Sequence, residues 1–424
     1  MEITIFVLSF IFLLITGVPI AFSMILPSFL YLLIAGLPVS VIAQRLFDPL
    51  TSPSFLAIPF YILAAEILNV TKTTESLFQF ARKVIGFIPG GLGQANVLAS
   101  MIFAGMSGSA SADAGGLGRI EIDAMKNAKY DLQYTVGITA TSAVIGPIIP
   151  PSIPFAVYGI IASQSIARLF IAGILPGITI GLCLMAMIYY LAIKNPRKFP
   201  RDPFPKGKEI IISFKSAFLP LLIPVIIVGG ILTGKFTPTE AGSIAVLCAI
   251  VISITNKTFS LKVLVFGFRN AMRSSALVLF ILGGAFVFSW VVTISQLPQT
   301  VLKFIFLFTT SKTIILLLIA VLILVMGMFM SSNATLIIIA PILVEFAPSL
   351  NMDLVHMGVF LVLGVMIGTI TPPIGAVLFI LSDYTGMSIT EITKGIRPFL
   401  IALIISWLII IFVPEISLFL PKML

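Results

Sequence analysis

Long apolar segments alternate with short polar connections along almost the whole chain. Segments apolar enough to cross a hydrocarbon layer of ~30 Å as helices lie at 3–16, 18–36, 53–70, 132–163, 166–192, 216–234, 238–255, 263–296, 353–383 and 396–420. Two further apolar stretches, 93–125 and 312–347, are interrupted near their middles by small polar residues. The pattern predicts an all-α polytopic membrane protein.

The composition excludes most other classes of protein. The 424 residues are 59% hydrophobic and only 10% charged. Soluble domains carry about 25% charged residues, so this chain is not a soluble enzyme, a secreted disulfide scaffold or a disordered regulator. Cys183 and Cys248 lie inside apolar runs, and we expect neither a disulfide nor a transition-metal site. The sequence shows no Ser–His pair, metal cluster or nucleotide loop, so we predict that it is not an enzyme.

The charge distribution gives an orientation. The net charge of +9 comes from basic residues in the short connections, and we expect no nucleic-acid partner. The densest basic segment, 193–215, contains Lys194, Arg197, Lys198, Arg201, Lys206, Lys208 and Lys215. The positive-inside rule places this segment in the cytoplasm. The first apolar run has no basic segment before it, so we expect it to be retained rather than cleaved as a signal peptide.

The chain contains an internal repeat. A shift of 222 residues places Gly105-Met106 on Gly327-Met328 and the segment 145–151 on 367–373 without a gap. The identities are concentrated on Gly, Pro, Asp and Ser, which the apolar bias of the composition does not explain. When helices are counted from the cytoplasmic segment, 93–125 opens from the inside and 312–347 from the outside. This predicts an inverted-topology repeat, a feature of many secondary transporters, with both termini outside. A parallel repeat would follow if either interrupted stretch crossed the membrane.

The two interruptions occupy equivalent places, at 107–113 (SGSASAD) and 329–335 (FMSSNAT). We predict that each is the tip of a re-entrant helical hairpin, where polar side chains pair with free backbone groups near the midplane. The helix after each tip directs its positive N-terminus at the tip, which favours a carboxylate. The predicted substrate-binding residues are Ser107, Ser109, Ser111, Asp113, Ser331, Ser332, Asn333 and Thr335. Small-residue helix packing is the alternative.

Two helix breaks also recur, at 146–151 (GPIIPP) and 368–373 (GTITPP). Paired prolines remove two backbone donors and should unwind an apolar helix. The carbonyls set free are suitable ligands for a hard cation such as sodium. The predicted sodium-binding residues are Ser107, Gly108, Gly146, Ile149, Pro150, Ser331, Gly368, Thr369, Thr371 and Pro372. A plain proline kink is the alternative.

Few charged residues lie within the apolar segments. A carboxylate inside the membrane is a functional candidate, and an N-cap of the hairpin's second arm is an equal alternative for Asp113. Glu121 lies nearer the inner surface and is expected to be structural. Asp131 and Asp353 precede the broken helices and are predicted N-caps. His356 is expected to be a surface residue at a helix start.

The sequence also resembles a known family. The segments GMSGSASADAGGLGRIEIDAM (105–125), GPIIPPS (146–152) and GTITPP (368–373) resemble the large membrane subunit of tripartite ATP-independent periplasmic (TRAP) transporters. The resemblance covers essentially the whole chain. Ser107, Ser109 and Asp113 match the family's first-hairpin positions, whereas many relatives carry an acidic residue where Ser331 stands.

The resemblance implies a function and partners. It implies an elevator-type symporter of the bacterial inner membrane that couples at least two sodium ions to uptake of an organic acid such as sialic acid or a C4-dicarboxylate. Its partners would be a small four-helix membrane subunit, a periplasmic substrate-binding protein and the lipid bilayer. Since the chain begins at the large subunit's first helix, we expect the small subunit to be a separate polypeptide.

The repeat predicts a division of the chain into moving and fixed parts. The transport domain would comprise 75–192 and 300–398, and the scaffold would comprise 1–74 and 216–299. A basic linker at 193–215 and a C-terminal helix at 399–424 complete the chain. One rival is a stand-alone sodium/dicarboxylate symporter or ion antiporter. Another is a non-transporting scaffold subunit, which would have no use for paired helix breaks.

Overall fold

The computed structural model describes residues 2–70, 73–297, 299–300, 309–373 and 375–423, and all regular secondary structure of these residues is helical. In the first part of the chain the helices are α1 (Glu2–Ile15), α2 (Ile20–Ile34), α3 (Ser40–Phe47), α4 (Ala57–Val70), α5 (Thr73–Ile85), α6 (Gly91–Ser107), α7 (Ala110–Gly115), α8 (Leu117–Asn127), α9 (Leu132–Ser142), α10 (Ile153–Ile161) and α11 (Ile166–Lys194).

The second part of the chain begins after residue 206. Its helices are α12 (Gly207–Leu232), α13 (Pro238–Thr255), α14 (Leu261–Ile294), α15 (Lys312–Phe329), α16 (Ser332–Phe346), α17 (Leu354–Gly368), α18 (Ala376–Thr385), α19 (Ile389–Phe412) and α20 (Glu415–Leu418). The part of the predicted transport domain at 301–308 lies outside the described residues.

Most predicted helices are confirmed, but three helix boundaries were wrong. Helix α12 begins at Gly207 and not at 216, so the basic linker is partly helical. The last long helix begins at Ile389 and not at 396, because Ser388 and Glu391 form a capping box at its start. It ends at Phe412, immediately before Val413 and Pro414, instead of continuing to 420.

The helices have the length and surface of a membrane protein. Within the described residues, six helices are long and apolar enough to cross a bilayer: α11, α12, α13, α14, α15 and α19. Large apolar side chains are exposed along several of them, such as Val225, Leu247 and Val321. An exposed apolar surface of this kind requires lipid or a partner protein to cover it.

The repeat appears in the packing as reciprocal contacts. Helix α9 packs on α19, and its repeat mate α17 packs on α11, the mate of α19. In the same way α7 packs on α18, and α16 packs on α10. Such an exchange of equivalent partners is what a two-fold relation produces and a simple translation does not. The two repeats therefore form one interlocked body.

Glycines allow the closest of these contacts. A Cβ atom on Gly395 of α19 would collide with the carbonyl oxygen of Gln133 on α9, and one on Gly137 would collide with the carbonyl of Gly395. In a membrane protein helices associate largely through such close packing of small residues. The α9–α19 contact therefore depends on the absence of a side chain at these two positions.

On the predicted cytoplasmic side, ion pairs join the connection between α11 and α12 to neighbouring helices. Arg82 of α5 forms two hydrogen bonds of 2.6 and 2.9 Å with the carboxylate of Asp202, which raises the pKa of the guanidinium. Lys198 lies 3.0 Å from Asp131, and this hydrogen bond raises the pKa of the lysine. Asp131 also caps α9, as predicted. The connection between α11 and α12 is thus held against α5 and α9.

The prediction for His356 was wrong. Its side chain is only 2% exposed, and its ring nitrogens lie 3.2 Å from the hydroxyl of Ser417 and 3.2 Å from the carbonyl of Ile411. The residue does stand near the start of α17, where Asp353 is the predicted N-cap. The C-terminal segment folds over this helix end, and a local sequence pattern could not show that long-range contact.

The glycine contact between the repeats can be tested by substitution. We expect Gly395→Ala to lower stability by about 1–3 kcal/mol, the usual cost of overpacking a tight interior. Gly229→Ala is the matched control, because a Cβ atom there meets nothing within 4 Å. Thermal unfolding of the purified protein in detergent should show a loss of stability for Gly395→Ala and none for Gly229→Ala. Equal stability of the two variants would contradict the packing described here.

Candidate functional site

The first hairpin turns at a glycine and a capping serine. Helix α6 ends at Ser107, Gly108 adopts a left-handed conformation with φ +61°, and Ser109 is extended. The Ser109 side chain accepts a hydrogen bond from the Ala112 amide at 3.4 Å, and the Ser109 amide donates to the Ser107 hydroxyl at 3.4 Å. The polar cluster is therefore the tip of a hairpin, and α8 packs back against α6.

The carboxylate of Asp113 lies inside this tip and is 2% exposed. The hydroxyl of Ser107 donates a hydrogen bond to its Oδ1. Its Oδ2 has no hydrogen-bond partner among the described residues. A Cβ atom added to Gly146 would collide with Oδ2, so the carboxylate lies directly against the backbone of the first helix break. The N-cap of α7 is Ser109, which leaves Asp113 free for another role.

The first break separates α9 from α10. After Ser142 the chain makes one 3₁₀ turn at Ala143–Ile145 and then leaves the helix. Three prolines between Gly146 and Ser152 cannot donate backbone hydrogen bonds, and the Pro150–Pro151 peptide is cis. The Ser152 hydroxyl donates to the Pro147 carbonyl and accepts from the Phe155 amide at 3.1 Å. One side chain thus satisfies a freed carbonyl and starts α10.

The hairpin tip and the break touch each other. A Cβ atom on Gly108 would lie 2.8 Å from the carbonyl oxygen of Pro151. Together with the contact between Asp113 and Gly146, this brings four predicted site residues into one small volume: Ser107, Gly108, Asp113 and Gly146. Ile149 and Pro150 belong to the same break, whereas the Ser111 side chain is exposed.

The second hairpin and break repeat this arrangement with different chemistry. Helix α15 ends at Phe329, and Met330 and Ser331 are extended before α16 begins. Gly327 packs on Gly368, where a Cβ atom would lie 2.9 Å from the opposite Cα. The Gly375 amide donates to the Met328 carbonyl at 3.1 Å. The tip is therefore held against the break through backbone atoms.

The polar side chains of the second site are mostly free or bonded to nearby carbonyls. Thr369 and Thr371 donate to the Met366 and Ile367 carbonyls, each at 2.7 Å. Thr335 is buried and donates to the Ser331 carbonyl at 3.2 Å. Among the described residues, the side chains of Ser331, Ser332 and Asn333 have no hydrogen-bond partner. Pro372 forms a cis peptide bond with Pro373.

Helix N-termini and helix C-termini meet at the two hairpin tips and the two helix breaks. Helices α10, α16 and α18 begin at a tip or break, and their first-turn N–H groups favour an anion. Helices α6, α9, α15 and α17 end there, and their last carbonyls favour a cation. Because α7 packs on α18 and α16 packs on α10, each tip lies beside the second half-helix of the other repeat. The arrangement can hold cations and a carboxylate close together.

Sequence reasoning missed a polar network behind the first site. The Asn96 amide donates to the Thr139 hydroxyl at 2.9 Å, and Ser142 donates to the Asn96 carbonyl oxygen at 2.7 Å. All three side chains are buried. The signal was present, since Thr139 and Ser142 stand three residues apart on one face of an apolar helix. Their connection to Asn96, more than forty residues earlier, required the fold.

Paired hairpins, paired broken helices and an exposed apolar surface define a multi-pass membrane transport protein. The chain belongs to the family of the tripartite ATP-independent periplasmic transporter, DctM component, whose family model matches residues 7–416. It is therefore a large permease subunit of a TRAP transporter, and the predictions of that family and of a protein that is not an enzyme are confirmed.

Curated relatives agree over nearly the whole chain. A sialic acid TRAP transporter large permease protein of Vibrio cholerae is 37% identical over 413 residues, which cover 97% of this chain and 96% of that protein. A sialic acid TRAP transporter permease protein of Haemophilus influenzae is 38% identical and covers 98% of this chain and 68% of its own length. A C4-dicarboxylate TRAP transporter large permease protein of Pseudomonas aeruginosa is 36% identical, over 91% of this chain and 90% of its own.

A solved structure supports the fold. The crystal structure of the Alcanivorax borkumensis YdaH transporter superposes with a TM-score of 0.63 at 15% sequence identity. The match covers 91% of this chain and 88% of that chain. At this identity the likeness concerns the architecture alone, which agrees with the predicted all-α fold.

The contact between tip and break can be tested with two left-handed glycines. Gly108 and Gly36 have φ of +61° and +66°, but only Gly108 has a neighbour within 4 Å. Alanine at either position should cost about 1–2 kcal/mol for its backbone conformation. We expect Gly108→Ala to cost about 1–3 kcal/mol more because of the clash with Pro151. Thermal unfolding of both variants measures the difference, and equal losses would argue against a packed tip.

Proposed function

We propose that this permease subunit carries out sodium-coupled uptake of a small organic acid delivered by a periplasmic substrate-binding protein. The observation that carries the proposal is the buried Asp113 carboxylate, whose Oδ2 is unpartnered and lies against the backbone of the first break. An ionised carboxylate buried without a cationic partner is strongly unfavourable. A bound cation would supply the missing partner.

Sodium suits the surroundings of Asp113. Hard cations prefer oxygen ligands, and the tip and break offer the Asp113 carboxylate, the Ser107 hydroxyl and backbone carbonyls near Gly146, Ile149 and Pro150. Gly108 permits the backbone of the tip to approach the break closely. We assign the first sodium ion to this volume.

We assign a second sodium ion to the equivalent place in the other repeat. Its ligands would come from Ser331, Gly368, Thr369, Thr371 and Pro372. The repeat mate of Asp113 is Thr335, so this second site has no carboxylate of its own. We propose that the substrate carboxylate supplies the missing negative charge. Binding of the substrate and of the second ion would then reinforce each other, which is the physical basis of coupling.

The substrate carboxylate would lie between the two tips. Ser331, Ser332 and Asn333 offer hydroxyl and amide donors that no described neighbour uses, and they stand at the N-terminus of α16. On the first tip, Ser109 and the exposed Ser111 are the corresponding donors. The relatives are named for sialic acid and for C4-dicarboxylates, and both present a carboxylate.

The proposed movement is that of an elevator. The transport domain, residues 75–192 and 300–398, would slide as one body against a scaffold built from residues 1–74 and 216–299. The partners would be a small four-helix membrane subunit and the binding protein, in the bacterial inner membrane with both termini in the periplasm. Membership of a tripartite transporter family supports these partners.

Uptake into proteoliposomes tests the proposal. The liposomes would contain this chain and its small membrane subunit under an inward sodium gradient, with labelled sialic acid or a labelled C4-dicarboxylate. We expect uptake only when both sodium and the cognate binding protein are present. Uptake with sodium alone would indicate a stand-alone symporter instead. No uptake from folded protein under either condition would favour an antiporter or a scaffold.

Sodium binding at Asp113 can be tested without transport. A bound ligand stabilises the folded state by mass action, about 2.7 kcal/mol at one hundred times the dissociation constant. We expect sodium, but not potassium, to raise the unfolding temperature of the wild-type protein, and Asp113→Asn to reduce this shift. Asp123→Asn is the matched control, because Asp123 stands ten residues later and is exposed. A full sodium shift in Asp113→Asn would remove Asp113 from the site.

A further inference from the structure

A second carboxylate is buried in the first hairpin, at a distance from the tip. Glu121 of α8 is 1% exposed, and its Oε1 has no hydrogen-bond partner among the described residues. It forms none of the ion pairs that the described residues contain. Such a group needs either a cation or a proton to be stable in an apolar interior.

The position of Glu121 on α8 identifies its neighbours. Gly118 and Met125, three residues before and four after, share its helix face. A Cβ atom on Gly118 would lie 2.8 Å from the Thr139 methyl group, and the Asn96 amide lies 3.9 Å from the Met125 sulfur. Glu121 therefore faces the place where Asn96 and Thr139 meet.

This neighbourhood is poor in cation ligands. The Asn96 carbonyl oxygen already accepts from Ser142, and its amide nitrogen is a donor. Met125 offers a thioether, which hard cations avoid. Thr139 leaves one hydroxyl, too few oxygens to enclose a sodium ion. A protonated carboxyl needs only one acceptor and leaves no charge in the apolar interior.

Other charged groups do not neutralise Glu121. Helix α6 carries no titratable residue. On α9 the titratable side chain is Tyr134, which packs on the rings of Phe199 and Phe399. On α7 it is Asp113, which would repel a second carboxylate. On α5 the facing groups Glu75 and Arg82 line a cavity on the opposite face of α8, with Asp123.

We propose that Glu121 is a proton-binding site of the first repeat, separate from the cation site at Asp113. The proton stays on the carboxyl while α8 is packed on α6 and α9, and it exchanges with the cytoplasm when this packing opens. The transporter would then bind two kinds of cation in one hairpin, a metal ion at the tip and a proton nearer the inner surface.

Infrared spectroscopy tests this directly, since a protonated carboxyl has its own C=O band. At neutral pH we expect the purified wild-type protein to show such a band that sodium does not remove. The band should be lost in Glu121→Gln and retained in Asp123→Asn. To separate the two buried carboxyls, the same comparison is made in the Asp113→Asn background.

The outcomes distinguish this proposal from the sodium proposal. A carboxyl band that sodium removes and that is lost in Asp113→Asn would report on the hairpin tip and not on Glu121. Absence of any sodium-insensitive carboxyl band in the wild-type protein would overturn the proton site without need of a variant. Retention of that band in Glu121→Gln would also overturn it.

Because glutamine is neutral and of the same shape, we also expect Glu121→Gln to unfold within a few degrees of the wild type. A large loss of stability would instead indicate an ionised, paired Glu121.

Discussion

The structure depends on the need to satisfy backbone polar groups inside an apolar layer. A continuous helix pairs every N–H and C=O within itself, so each interruption must find other partners. This chain interrupts its helices at two tips and two breaks, where particular residues satisfy backbone groups by hydrogen bonds. Ser109 caps α7, Ser152 satisfies the Pro147 carbonyl while capping α10, and Gly375 donates to the Met328 carbonyl. The backbone groups that remain free are those a cation or a carboxylate can use.

The two repeats share the arrangement of tip and break but differ in charge. In the first, a buried carboxylate lies against the break, and in the second Thr335 takes its place with a hydroxyl bonded to its own helix. One half of the site therefore brings its own negative charge, whereas the other has polar donors and no charge. Under the proposed function, this asymmetry would couple the binding of substrate and ion, because the second half of the site would be complete only with the substrate carboxylate in place.

Reciprocal packing makes the two halves a single body. Each hairpin arm rests on the half-helix of the other repeat, and the glycines at 137 and 395 bring α9 and α19 into backbone contact. On the predicted cytoplasmic side, ion pairs bind the α11–α12 connection to α5 and α9, which fixes this body's edge without adding charge to the membrane interior.

Much of this follows from the sequence alone. Apolar length predicted the helices, the 222-residue shift predicted the repeat, and Gly and Pro at equivalent places predicted the tips and breaks, because these are local properties of the backbone. The capping box at Ser388 and Glu391 is also a local pattern, and it marks the start of the last long helix. The tertiary structure alone decided what the side chains meet. It placed Asp113 on Gly146, joined Asn96 to Thr139, and buried Glu121 and His356, which sequence reasoning had assigned a structural role and a surface position respectively. Burial and pairing depend on residues far apart in the chain, and a period or a motif carries no information about them.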